Sequence, residues 1–90
     1  KLEDKLQACG WRCAVIDGHE FGEILAAFES ARGQERPLMI IANTVKGKGV
    51  SFMENEVLWH YRSPQGEEYE AAVAELDAAS AALEGEAGHA

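Results

Sequence analysis

The sequence predicts an α/β fold, in which a β-α-β unit with flanking helices forms part of a doubly wound parallel sheet. Two short apolar runs, RCAVID from Arg12 to Asp17 and LMIIA from Leu38 to Ala42, have the length and composition of buried strands. A segment with helical periodicity lies between them. Strand, helix and strand in this order are typical of parallel strands joined by a right-handed crossover.

The segment between the two runs predicts an amphipathic helix from about Glu20 to Arg32. Its apolar residues follow the spacing i, i+3, i+4 and i+7, which places them in one stripe along a helix. They are Phe21, Ile24, Leu25 and Phe28. Gly33 is a natural stop for this helix.

Helices are also predicted on both sides of the β-α-β unit. Leu2 to Ala8 reads as a short helix that ends at Gly10. A long connection from Asn43 to about Arg62 leads to a last helix, with Ser63 as N-cap and Pro64 at its first position. The apolar face of that helix is expected to contain Tyr69, Val73, Leu76 and Leu83, and the chain is expected to fray into a flexible tail over 85–90.

Two parallel strands do not complete a sheet. Both faces of a parallel sheet are normally covered by helices, and its edges by further strands. The chain also begins at Lys1, without an initiator Met. We therefore expect it to be the terminal part of a larger doubly wound domain, in which ligands bind beyond the carboxyl ends of the strands.

Composition narrows the classes of partner. The 90 residues carry a net charge of -8, from 16 acidic and 8 basic side chains, which argues against a nucleic-acid or membrane-surface binder. No apolar run approaches the roughly 20 residues that span a bilayer, and no signal peptide is visible, so a cytoplasmic protein is expected. Cys9 and Cys13 have no second ligand pair for zinc, and no metal ligand is predicted in this chain.

The segment VKGKGVSFMENEVLWH, within the long connection, holds the candidate site. Gly47 and Gly49 permit positive φ and close approach to a ligand, and Lys46 suits an anion such as phosphate. His60 could serve as a general acid or base. By themselves these residues also fit solvated surface lysines and a packing histidine, and Trp59 fits a core aromatic.

The order of motifs resembles the transketolase family, whose members use thiamine diphosphate to move two-carbon ketol units between sugar phosphates. The resemblance rests on VIDGHEFGEILAAFESAR followed by IIANTVKGKGVSFMENEVLWH, and it runs from about Gly10 to Leu76. It is strongest to the amino-terminal subunit of split transketolases. It implies that residues 1–84 are the carboxyl-terminal part of the diphosphate-binding domain, a fragment of a thiamine-diphosphate-binding fold.

The resemblance also implies roles for single residues. Lys46 matches a lysine that lies beside the cofactor, and His60 matches a histidine that faces the thiazolium end of the cofactor and the substrate. Gly47 and Gly49 match residues that shape the cofactor site. Mg²⁺ (or Ca²⁺) would be held by a Gly-Asp-Gly…Asn motif that is absent from this sequence, so the metal ligands would lie outside the chain.

The implied function is therefore a segment of a transketolase of the pentose phosphate pathway that is inactive alone. Its expected partners are sugar phosphates and a pyrimidine-binding domain or subunit, in a homo- or hetero-oligomer such as a dimer. One departure from the family is Tyr61-Arg62-Ser63, where many members carry Gly-Lys-Ala. Two alternatives are a related enzyme of the deoxyxylulose-phosphate synthase type and a non-catalytic interaction subunit.

Overall fold

The computed structural model describes residues 1–87, which fall into two compact units. The first unit is Lys1–Thr44 and the second begins at Val45. The first contains the predicted β-α-β unit, and the second contains the candidate site.

The first unit has the predicted order of elements. The helices and strands are α1 (Leu2–Ala8), β1 (Arg12–Asp17), α2 (Phe21–Ser30) and β2 (Leu38–Asn43). The two strands are parallel, in a register from Arg12 opposite Leu38 to Asp17 opposite Asn43. These findings confirm the mixed α/β class and the partial parallel sheet, which has two strands within residues 1–87.

Backbone bonds extend the ladder beyond both ends of the paired strands. The amide of Arg12 donates to the carbonyl of Pro37 at 2.9 Å, and the amide of Gly18 donates to the carbonyl of Asn43 at 2.8 Å. Glu20 forms the N-cap of α2, where its carboxylate accepts a bond from the amide of Gly22 at 3.4 Å. The crossover helix is thus anchored directly after the turn that ends β1.

The prediction that both strands are buried is wrong for this chain. No residue of β1 or β2 is buried, and Val15 is 47% exposed. The buried residue of α2 is Ala27, whereas Phe21, Leu25 and Phe28 of the predicted stripe are exposed. Two strands offer too narrow a surface to cover such a helix, because a parallel sheet needs neighbours at its edges and on both faces.

The second unit is more regular than the predicted loop. Two short 3₁₀ helices lie within it, the first over Ser51–Met53 and the second over Val57–His60. They are followed by α3 (Glu67–Ala87). The connection between β2 and α3 is therefore a folded segment instead of an irregular loop.

The predicted start of the last helix at Ser63 and Pro64 is wrong. The helix α3 begins at Glu67, and the residue before it, Gly66, has a φ of +59°. A helix cannot run through this left-handed conformation, which glycine adopts without a steric penalty. The first helical amides instead bond to the carbonyls of residues 65 and 66.

The face of α3 that packs within the second unit also differs from its predicted apolar face. Ala72 is buried, together with Val50 from the connection. The predicted residues are largely exposed: Tyr69, Val73, Leu76 and Leu83. The helix continues through Gly85 to Ala87, and residues 88–90 of the predicted tail lie outside the described residues. The described chain holds no helix that is both long and apolar enough to cross a membrane.

Candidate functional site

Lys46 closes the connection back on itself. Its ammonium (Nζ) donates to the carbonyl of Glu56 at 2.7 Å, and its own carbonyl accepts from the amide of Asn55 at 2.8 Å. A bond from a charged donor is stronger than a neutral one. Side chain and backbone of Lys46 therefore both hold the residues that precede the second 3₁₀ helix.

Gly47 is required by the backbone at this turn. Its φ is +77°, and a Cβ placed on it would come within 2.7 Å of the carbonyl carbon of Met53. Gly49 also has positive φ, at +104°. Both glycines thus use the conformation that their residue type permits. The close approach that Gly47 permits is to the chain's own backbone at Met53.

Polar side chains fasten the turn on both sides. The amide of Gly49 donates to the Glu54 carboxylate at 3.4 Å, within the connection. The amide of Ser51 donates to the Glu75 carboxylate at 2.8 Å, and the Ser51 hydroxyl donates to the same carboxylate. The Glu75 contacts attach the first 3₁₀ helix to α3.

His60 is the last residue of the second 3₁₀ helix, and it is exposed. That helix begins after Glu56, the residue whose carbonyl binds Lys46. With a rise of about 2 Å per residue, the four steps from Glu56 to His60 cover about 8 Å of helix axis. The cation at the start of the segment and the imidazole at its end thus belong to one hydrogen-bonded unit.

Trp59 is half-buried and packs inside the second unit. Its ring meets the ring of Phe52 edge to face, with centroids 5.6 Å apart and planes at 68°. The guanidinium carbon of Arg62 lies 5.6 Å from the Trp59 ring centroid, over the ring. Arg62 also pairs with Glu68 of α3 at 3.1 Å. Trp59 is therefore a packing aromatic of the second unit, and it is only half-buried.

The four predicted site residues lie in one folded segment, and its chemistry suits an anion. The Lys46 ammonium has three N–H donors, of which one bonds to Glu56. Lys48, the other cation of the turn, is exposed. Across residues 1–87, no three His, Cys, Asp or Glu side chains are close enough together to hold a metal ion.

Sequence reasoning missed the partners that give this segment its shape. Asn55 adopts a φ of +59°, a conformation that asparagine tolerates better than most residues, and Glu54-Asn55 could have been predicted as a turn. Glu75 and Arg62 gave no such signal. Their partners, Ser51 and Trp59, are identified only once the 3₁₀ helices place them.

Comparisons with known proteins identify the family of the chain. A family model described as transketolase, thiamine diphosphate binding domain, matches residues 1–79. The 6-deoxy-6-sulfo-D-fructose transketolase subunit SqwG of Clostridium sp. (strain MSTE9) is 49% identical over 77 residues, which cover 84% of this chain and 28% of that protein. An apulose-4-phosphate transketolase subunit of Phocaeicola vulgatus is 38% identical over 76 residues, covering 83% of this chain and 27% of that protein.

Human transketolase is 38% identical over 58 residues, which cover 64% of this chain and 9% of that protein. The chain thus spans only about a quarter of the two bacterial relatives above. The family model, however, matches nearly all of the β-α-β unit, the folded connection and the first part of α3. On this match, the chain belongs to the family of transketolase thiamine diphosphate binding domains.

Proposed function

We propose that this chain is the carboxyl-terminal part, over residues 1–84, of the diphosphate-binding domain of a transketolase. The complete enzyme would transfer a two-carbon ketol unit between sugar phosphates. The segment would contribute one wall of the cofactor and substrate site and would be inactive alone. The family match over residues 1–79 supports the placement in the enzyme.

The observation that carries the proposal is the bond between the Lys46 ammonium and the carbonyl of Glu56. It ties a cation to the 3₁₀ helix that ends at the exposed His60. An anion-binding group and a proton donor or acceptor are thereby held in one segment, at a separation that the short helix sets. A pair of solvated, unrelated side chains would not need this bond.

The residues present fit a diphosphate. Two N–H donors of Lys46 are left for an anion once the bond to Glu56 is made. Gly47 and Gly49, whose positive φ favours glycine, add no side chain to the turn that follows Lys46. When bound, thiamine diphosphate supplies the electron sink for carbon–carbon cleavage. The Mg²⁺ (or Ca²⁺) that accompanies it would be held by residues outside this chain.

His60 would act on the substrate. A neutral or protonated imidazole can donate a hydrogen bond to a carbonyl oxygen that gains negative charge, or move a proton as a carbon–carbon bond breaks. Its exposure leaves it accessible to a ligand. Lys46 would lower the cost of bringing the diphosphate charge to the site.

The assembly is part of the proposal. The chain would work with a pyrimidine-binding domain or subunit, in a homo- or hetero-oligomer. Two of the relatives are named as transketolase subunits, which supports a multi-subunit enzyme.

Cys9 and Cys13 are free thiols. Because free thiols suit a reducing compartment, we propose a cytoplasmic location.

The experiment replaces His60 with Ala in the complete enzyme that contains this segment. We expect kcat to fall by about 10²-fold or more, because a positioned acid–base group contributes that much. Tyr61→Phe is the control, since Tyr61 is the neighbouring residue and is 74% exposed. Full activity in His60→Ala would show that the assigned role is wrong.

A second variant tests the cofactor end of the segment. Lys46→Met keeps the length of the side chain but removes its charge, so the dissociation constant for thiamine diphosphate should rise by roughly 10- to 100-fold. The control is Lys5→Ala, which removes a charge from α1, a helix outside the connection. It should leave the dissociation constant for thiamine diphosphate unchanged. Equal affinity in Lys46→Met and the parent enzyme would contradict the cofactor-binding role.

The two alternatives are separated by other measurements. Use of pyruvate instead of a ketose phosphate as donor would indicate an enzyme of the deoxyxylulose-phosphate synthase type. The exposed α2 stripe and the two-stranded sheet are the observations behind the second alternative, a subunit that only binds partners. Calorimetry of the assembled protein with thiamine diphosphate and Mg²⁺ would then show no cofactor-linked heat.

A further inference from the structure

Arg62 is a residue that neither the sequence motifs nor the proposed function uses. Its guanidinium lies over the ring of Trp59, 5.6 Å from the centroid, and it pairs with Glu68 at 3.1 Å. Trp59 directly precedes His60 in the second 3₁₀ helix. Arg62 therefore connects the helix that carries His60 to the first turn of α3.

The second 3₁₀ helix depends on such contacts because it is poorly held by its own backbone. It has four residues and no side-chain cap at its start, and the amide of Trp59 bonds to the carbonyl of Glu56 at 3.3 Å. Short 3₁₀ helices have weak hydrogen-bond geometry. Side-chain packing must then set the direction in which the last residue, His60, is presented.

The Trp59 ring provides that packing from two directions. The edge-to-face contact with Phe52 joins it to the first 3₁₀ helix, while the Arg62 guanidinium covers its face. A planar guanidinium can stack on an aromatic ring and pair with a carboxylate at the same time. Arg62 makes both contacts, one with Trp59 and one with Glu68, so it can restrain the rotation of the indole.

Stability alone does not account for the arrangement. The side chains of Arg62 and Glu68 are 49% and 37% exposed, and ion pairs with such exposure contribute little to folding. What the contact can supply is orientation, since a displacement of about 1 Å at a reacting group lowers a rate up to 10²-fold.

We propose that Arg62 is a positioning residue for His60, acting through the Trp59 ring and anchored by Glu68. This inference rests on the proposed function, because it requires that His60 act on the substrate. Arg62 itself touches neither substrate nor cofactor in this scheme.

The test is a double-mutant cycle in the complete enzyme, with kcat measured at saturating substrates and cofactor. Arg62→Ala should lower kcat roughly tenfold, with KM and cofactor affinity within about twofold of the parent. In a His60→Ala background the same change should have no further effect, since the group that Arg62 positions is gone. Arg62→Lys should recover only part of the loss, because an ammonium has no planar face to stack.

The matched control is Arg32→Ala in the turn that follows α2, which removes an exposed pair with Glu29 at 3.1 Å. It should leave kcat unchanged. If Arg62→Ala prevents assembly of the enzyme, Glu68→Gln tests the same link with both side chains retained, and kcat should fall about threefold.

Three outcomes would overturn the proposal. The first is an equal loss of kcat from Arg62→Ala with and without His60, and the second is a rise in KM for phosphorylated substrates at unchanged kcat. The third is a parental kcat in Arg62→Ala or in Glu68→Gln. The second would make Arg62 a substrate contact instead. Full activity of His60→Ala would instead remove the role of His60 in the proposed function, and that result is independent of what Arg62 does in the cycle.

Discussion

The β-α-β unit and the folded connection are stabilised in different ways. The strands of the first unit pair through backbone bonds, and the large apolar side chains of α2 remain exposed: Phe21, Leu25 and Phe28. In the connection, side chains bond to backbone or to each other at almost every turn, as Lys46 does with Glu56 and Ser51 with Glu75. The first unit also has side-chain bonds, such as those from Arg36 to the carbonyls of Gly10 and Trp11. The contrast is therefore between an apolar stripe on α2 that is exposed and a turn around Gly47 that polar contacts within the connection hold in place.

This difference indicates how far each region depends on contacts outside itself. Apolar surface gains stability only when it is removed from water, so the β-α-β unit depends on neighbours to become stable. The connection can hold its shape through its own polar contacts. Substitutions in the two regions should therefore have different consequences, and the following experiments test that contrast.

The largest effect is expected at Gly47. Gly47→Ala forces a side chain into a φ of +77° and against the carbonyl of Met53, and it should lower the stability of the connection by about 3 kcal/mol. Hydrogen exchange of the 45–62 peptide in the complete enzyme measures this. Gly22→Ala is the control, since Gly22 lies in α2 with room for a methyl group, and alanine should favour that helix by about 0.5–1 kcal/mol.

Unchanged protection of the 45–62 peptide in Gly47→Ala would contradict the internal specification of the connection. Loss of hydrogen-exchange protection in α2 of Gly22→Ala would show that α2 tolerates an added methyl group no better than the connection does. Either result would remove the contrast between the two regions.

The next effect is expected at Phe28, which is 62% exposed in this chain. The chain spans 28% of its relative from Clostridium sp., and we expect the remainder of the same domain to cover the α2 stripe. Phe28→Ser should then destabilise the complete domain by about 2 kcal/mol, the value of burying such a side chain. Urea unfolding measures this loss of stability, and hydrogen exchange of the α2 amides shows whether the loss is in that helix.

Glu29→Gln serves as the control for Phe28→Ser, because Glu29 is the neighbouring residue on the same helix and its side chain is 70% exposed. Equal stability of the Phe28→Ser domain and the parent would mean that the stripe stays in water, which would favour the interaction-subunit alternative.

The same contrast explains how far the sequence alone could lead. The strands and α2 were predicted to within about two residues, because periodicity and glycine stops are local signals. The conformations of Gly47 and Gly49 also followed from residue type. The burial of the strands did not, since the composition of a strand does not determine which neighbours cover it.

The start of α3 and the partners in the connection show the second limit. Ser63-Pro64 has the composition of a helix start, but Gly66 takes a left-handed conformation and moves the start to Glu67. The bond between Lys46 and Glu56 joins residues ten apart with no periodic pattern between them. Such contacts follow from the way the 3₁₀ helices turn the chain, so they require a structure.

A smaller effect is expected where the connection meets α3. Glu75→Gln keeps the shape of the side chain but removes the charge that accepts bonds from the Ser51 amide and hydroxyl. The site is exposed, so we expect a loss of about 1 kcal/mol, seen as faster hydrogen exchange at 49–53. Glu70→Gln, in the first turn of α3, is the control, and it should leave that peptide unchanged. Equal exchange in both variants would mean that the two Ser51 bonds contribute nothing.

The smallest effect is expected from the exposed pair between Arg32 and Glu29 in the first unit. Its side chains are 80% and 70% exposed, and such pairs contribute roughly 0–1 kcal/mol, with salt screening even that. Arg32→Ala should therefore change the unfolding midpoint of the complete domain by no more than its experimental error, at low and at high salt. The Arg62 and Glu68 pair of the second unit has similar chemistry but lies against Trp59. If loss of either pair had the same effect on stability and on kcat, the packing of Arg62 against Trp59 would make no difference to the enzyme. The contrast between the two regions would then be wrong.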